Sequence, residues 1–149
     1  MRLKDCHSFG DFRELARRRL PSPIFNYIDG AADDESTYER NTKSFEDCDL
    51  VPNVLRGVED IDMSVEILGH KIDMPIYCSP TALQRVFHHQ GEHAVAAAAD
   101  KYGTLFGVSS LGTVSLAEVR QKYTGPQCYQ FYYHKDKALN PVSYTHLRA

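Results

Sequence analysis

GEHAVAAAADKYGTLFGVSS, residues Gly91 to Ser110, places a helix directly before a strand. The alanine-rich stretch from Gly91 to Tyr102 is a strong helix by propensity. Leu105-Phe106-Gly107-Val108 is short and apolar, the pattern of a buried strand. The alternation continues on both sides. Upstream, Pro75-Ile76-Tyr77-Cys78 reads as another buried strand. Downstream, Ser115 starts the helical LAEVRQKY with Glu118 at capping-box spacing, and Cys128 to Tyr133 reads as the next strand. Strand, helix, strand, helix, strand predicts βα units on a parallel sheet.

In parallel α/β folds the ligand lies at the carboxyl ends of the strands. The first strand runs into Ser79-Pro80-Thr81-Ala82 and the second into Ser109-Ser110. The third lies in QCYQFYYHKD (127–136), where period-two alternation puts Tyr129, Phe131 and Tyr133 on one face. Cys128, Gln130, Tyr132 and His134 then share the other face. Three strand ends offering hydroxyl, amide and backbone groups predict one shared polar pocket. The plainer alternative makes the serines helix caps and turn residues. SPTALQ lacks the glycines of a dinucleotide-binding first turn, so a closed barrel is expected over an open sheet.

The first half of the chain is mixed and reads as a cover. Ser8 caps a helix carrying Phe12, Leu15 and Ala16, with Asp11 at box spacing and Pro21 ending it. Ser22-Pro23 reads as cap and first residue of a helix over IFNYI, closed by Gly30. DDESTYERN suggests a further short helix, and MSVEILGHKIDM a hairpin around Leu68-Gly69-His70.

With a net charge of −3, the chain has no global basic field for nucleic acid. The run Arg17-Arg18-Arg19 fits a solvated last helical turn, with a partner or acidic-lipid contact as the alternative. Cysteines at 6, 48, 78 and 128 form no CxxC, which argues for free thiols in a reducing compartment. No apolar segment has signal-peptide or transmembrane length, so a cytoplasmic protein, or one peripheral to the inner membrane, is expected. His89 and His93 are four apart, a spacing compatible with a metal pair, but His88 and His89 precede the helix and no carboxylate or thiol converges on them. His134 lies past a strand end, where solvent or the pocket rim is expected.

FNYIDGAADDEST, NVLRGVEDIDMSVEILG, MPIYCSPTALQ, GEHAVAAAADKYGTLFGVSS and YQFYYHKD follow one another between about Phe12 and Asn140. In that order and spacing they resemble the amino-terminal part of the FMN-dependent α-hydroxy-acid dehydrogenases and oxidases, the L-lactate dehydrogenases foremost. The resemblance implies the amino-terminal part of an FMN-binding (β/α)8 TIM barrel, preceded by a helical covering segment and incomplete in this chain. Residues 1–140 would be a partial FMN hydroxy-acid dehydrogenase domain. Within it, 1–74 would be covering helices and hairpin and 75–140 the first three barrel strands.

Residue by residue, the resemblance places Pro80, Thr81 and Ala82 against the flavin, with Ser109 and Gln130 hydrogen-bonding the isoalloxazine. Tyr132 would touch flavin and substrate, and Tyr27 would bond the substrate carboxylate. Read alone, Tyr27 is equally a core tyrosine with a satisfied hydroxyl. The implied reaction oxidises an L-2-hydroxy acid to the 2-oxo acid with two electrons passing to FMN. The family's histidine base, its carboxylate-binding arginines and its lysine come from later strands, so no catalytic residue is assigned here. Leu111 stands where glycolate oxidases carry tryptophan and lactate-specific relatives carry leucine, which favours L-lactate over glycolate or mandelate.

The electron acceptor stays open among quinone, cytochrome and oxygen, and the parent protein is expected to be a homo-oligomer. After Asn140, PVSYTHLRA departs from the family pattern, so 141–149 is expected to be a foreign or misjoined tail. An incomplete barrel is expected to be inactive and poorly stable alone. A non-catalytic α/β fragment or interaction module is the competing class.

Overall fold

The structure, a computed structural model, describes residues 2–136, 138 and 140. The expectation for 141–149 lies outside the described residues. The chain divides into two compact units, Met1–Glu59 and Asp60–Ala149.

In the first unit a short 3₁₀ turn at Leu3–Asp5 precedes helix α1, Phe9–Arg19. Ser8 caps α1: its hydroxyl accepts from the Asp11 N–H at 3.3 Å, and the Asp11 carboxylate accepts from the Ser8 N–H at 2.9 Å. The reciprocal pair satisfies amides that the first turn leaves open. The basic last turn is tied back to its own helix, since Arg17 and Arg18 both donate to Glu14. Helix α2, Ser22–Asp29, starts one residue earlier than its sequence suggests, with Pro21 as cap and Ser22 already helical. The Pro21 carbonyl accepts from the Ile24 and Phe25 amides, so the turn closes without a serine cap. Gly30 ends α2 by donating to the Asn26 carbonyl at 3.0 Å, and Arg13 of α1 pairs with Asp29 of α2. Helix α3 spans Ser36–Lys43.

The second unit opens with an antiparallel hairpin of β1, Val65–Ile67, and β2, His70–Ile72. Leu68 and Gly69 both take positive φ (51° and 77°), the requirement of a two-residue type I′ turn. Then follow the short helix α4, Gln84–Phe87, helix α5, Glu92–Lys101, strand β3, Phe106–Ser109, helix α6, Leu116–Lys122, and strand β4, Gln127–Gln130. β3 and β4 pair in parallel with Phe106 opposite Gln127 and Ser109 opposite Gln130. On the other edge of β3, Cys78 makes a parallel bridge to Phe106. The predicted βα order is therefore present, and α5 and α6 cover one face of the sheet. Ala96 and Ala99 of α5 and Val119 of α6 bury Phe106 and Val108 there, with Val114, Cys78 and Tyr129 packed alongside.

Two strand predictions are corrected. Of Pro75–Cys78 only Cys78 enters the ladder. Pro75 has no N–H to give, the Ile76 amide turns to the Met74 carbonyl, and the Thr104 hydroxyl takes the Ile76 carbonyl. At the other end, β4 stops at Gln130 rather than Tyr133. Its partner β3 ends at Ser109 and folds away through a bond from the Gly112 amide to the Ser109 carbonyl. Residues 131–133 thus have no strand neighbour among the described residues, and the ladder ends with a last bond from the Ser110 amide to the Gln130 carbonyl.

Candidate functional site

The sheet has two faces, and the core identifies them. Phe106, Val108 and Tyr129 face the helices, so alternation sends Gly107, Ser109, Cys128 and Gln130 to the opposite face. Gly107 is required there. A Cβ on it would lie 2.7 Å from Pro80 Cδ and 2.8 Å from Pro80 N, so the chain after Cys78 rests directly on the β3 backbone. Pro80 and Thr81 are exposed and Ala82 is half-buried at this end of the sheet.

Ser109 is 7% exposed, and its hydroxyl oxygen accepts from the Leu111 N–H at 3.2 Å, which leaves its proton to donate. The Gln130 side-chain oxygen accepts from the Ser110 hydroxyl at 3.3 Å, which leaves its NH2 group as a donor. The structure therefore gathers Ser109 and Gln130 at the carboxyl ends of β3 and β4, with Pro80, Thr81 and Ala82 just past the Cys78 bridge on the other edge of β3.

Tyr132 is not placed by sheet alternation, because β4 ends two residues before it; it is 57% exposed. His134 is exposed, and its backbone exchanges hydrogen bonds with the Asn140 side chain at 2.9 and 3.0 Å. Tyr27 stands on α2 of the first unit, 61% exposed. His93 spends its Nε2 on Glu118 of α6 at 3.0 Å, on the helix side of the sheet.

The residue that sequence reasoning missed is Glu92. It is the first residue of α5 and its side chain is fully buried. One carboxylate oxygen accepts from the Thr113 N–H at 2.7 Å and the other from the Thr113 hydroxyl at 2.6 Å. Burial is the largest single influence on this carboxyl and raises its pKa. The Thr113 hydroxyl and N–H, its own N–H and that of Gln84 together outweigh burial and hold the pKa below the ordinary value. The available signal was an acidic residue in the first turn of an otherwise apolar helix, facing a threonine three residues past the strand-end serines.

Known proteins resemble this chain in sequence and fold. The family described as FMN-dependent dehydrogenase matches residues 16–142. Glycolate oxidase 1 of Oryza sativa subsp. indica is 38% identical over 127 residues, covering 85% of this chain and 34% of the relative. L-lactate dehydrogenase of Xanthobacter autotrophicus is 37% identical over 132 residues, covering 89% of this chain and 34% of the relative. A crystal structure of mandelate oxidase superposes with a TM-score of 0.82 at 31% identity, over 93% of this chain and 42% of its own. A mandelate oxidase variant with a C4a-OH-FMN adduct gives a TM-score of 0.85 at 29% identity, over the same shares. The chain spans about a third of the length of the curated relatives it matches.

Proposed function

The chain belongs to the FMN-dependent dehydrogenase family, and from that membership and the strand-end geometry we propose that it supplies the first strands of an FMN site that oxidises an L-2-hydroxy acid. Residues 1–140 would be one partial domain of that family, with its barrel strands drawn from residues 75–140. The observation that carries the reading is the pairing of Ser109 with Gln130 at level strand ends, each with a donor to spare.

The donor set fits a flavin ring. Its polar edge is uncharged and needs neutral hydrogen-bonding partners once buried. Ser109 and Gln130 would donate to that edge, and Pro80, Thr81 and Ala82 would line the ring, the chain at Pro80 being held close to β3 because Gly107 has no side chain. Bound FMN supplies the two-electron acceptor that no side chain here could provide. The Tyr132 phenol would bond a substrate oxygen at the edge of the ring. These residues orient; none of them removes the substrate proton.

L-Lactate is the substrate this pocket favours. Leu111, 52% exposed beside Ser109, leaves room for a methyl group that a larger side chain would fill. One pocket contact of this kind discriminates by about 1–3 kcal/mol. A chimera in which residues 1–140 replace the matching segment of the Xanthobacter L-lactate dehydrogenase tests the reading. The expected product holds stoichiometric FMN and bleaches faster with L-lactate than with glycolate or mandelate. Ser109→Ala with Gln130→Ala should release the flavin. A folded but colourless chimera, or one that keeps its flavin after both substitutions, overturns the site. Faster bleaching by glycolate or mandelate overturns only the substrate.

A further inference from the structure

We propose that Glu92 is a positioning residue for the strand-end pocket: through Thr113 it locks the loop after β3 to the chain that enters α4. The Thr113 hydroxyl donates to Glu92 at 2.6 Å, so toward any other group it can act only as an acceptor. It accepts the Arg85 N–H at 3.2 Å. Arg85 is the second residue of α4, whose cap position is Leu83, a residue with no side-chain oxygen and a left-handed backbone (φ 55°). The first amides of a helix need acceptors from outside it, and here they come from another loop. Leu83 itself donates to the Leu111 carbonyl at 3.1 Å.

Residues 83–85 are thus strung along residues 111–113. A left-handed leucine persists only where its surroundings over-determine it, and these bonds do so. Two glycines make room for the clamp. A Cβ on Gly91 would lie 2.6 Å from Arg85 Cγ and 3.3 Å from the Thr113 hydroxyl, and one on Gly112 would lie 3.3 Å from Glu92 Oε1. The two loops joined in this way carry Pro80, Thr81 and Ala82 on one side and Ser109, Ser110 and Leu111 on the other. A shift of either loop would move flavin-side and substrate-side groups together. That consequence rests on the FMN reading above; the clamp does not.

Amide hydrogen exchange on this chain, followed by NMR without flavin, tests the clamp. In the unmutated chain the Leu83, Arg85 and Thr113 amides should be protected. Glu92→Gln should speed exchange at all three by roughly tenfold or more, and Thr113→Val at Arg85 alone. Thr113→Ser should restore Arg85. The sheet amides of Phe106 and Gly107 should keep their protection in every variant. Unchanged exchange at Leu83 and Thr113 in Glu92→Gln overturns the proposal. So does a uniform speeding that includes the sheet, which would mark a general stabilising role. An unmutated chain whose three amides exchange like those of an unfolded peptide overturns it as well. FMN takes no part in the measurement, so a colourless chimera and a failed clamp are separate results.

Discussion

Glu92 is fully buried, yet its folded pKa lies below the ordinary value of 4.5. A carboxyl depressed in this way binds fewer protons when folded than when unfolded. Its contribution to stability is therefore complete above the unfolded value and lost as pH falls through the folded one. Glu92→Gln should lower the melting temperature most near neutral pH, and the gap to the unmutated chain should close as the pH drops below the glutamate range. Thermal unfolding at stepped pH checks this, and a gap that widens in acid would reverse the assignment. Gly91 and Gly69 offer a second comparison, since both take positive φ (51° and 77°) but only Gly91 is crowded. Gly69→Ala meets open space and should lose about 1–2 kcal/mol from backbone strain alone. Gly91→Ala adds the clash with Arg85, so urea unfolding should show a larger loss, about 3 kcal/mol or more.

Among the elements, α6 is the one whose start is most plainly written in the sequence. The Ser115 hydroxyl accepts from the Glu118 N–H at 3.1 Å, as the spacing predicts, and Ser115→Ala should destabilise the second unit by about 1 kcal/mol in the same unfolding assay. Helix signals of this kind are local: an oxygen, an amide three residues on, an apolar stripe. Ser8 with Asp11, Ser115 with Glu118 and the alanines of α5 were legible for that reason. Strand limits are not local. Phe131, Tyr132 and Tyr133 have every property of strand residues, but β4 ends where β3 turns away, and nothing within 127–136 records that event. Pro75 to Tyr77 were misread for a related reason, because Thr104, 28 residues away, takes the carbonyl that a strand would need. Ser109 and Gln130 were legible as strand-end groups, but their register opposite each other was not, because it is set by where the two strands pair. Glu92 was not, since its partner belongs to a different loop.

At the scale of the whole molecule, the second unit is a stretch of parallel sheet with α5 and α6 packed on one face. Among the described residues β4 pairs only with β3, so its other edge presents backbone groups that parallel strands elsewhere bury. The isolated chain should therefore show no lactate-dependent bleaching when FMN is added, whereas the chimera should. Stoichiometric flavin binding with bleaching by this chain alone would contradict that expectation. The bonds that join the strand-end loops have another property in common. Glu92 to Thr113 spans 21 residues, Arg85 to Thr113 spans 28, and Ser110 to Gln130 spans 20. Short spans close early and lose little chain entropy. During synthesis each can form as soon as its second partner leaves the ribosome, so this end of the sheet should be among the first parts of the second unit to order.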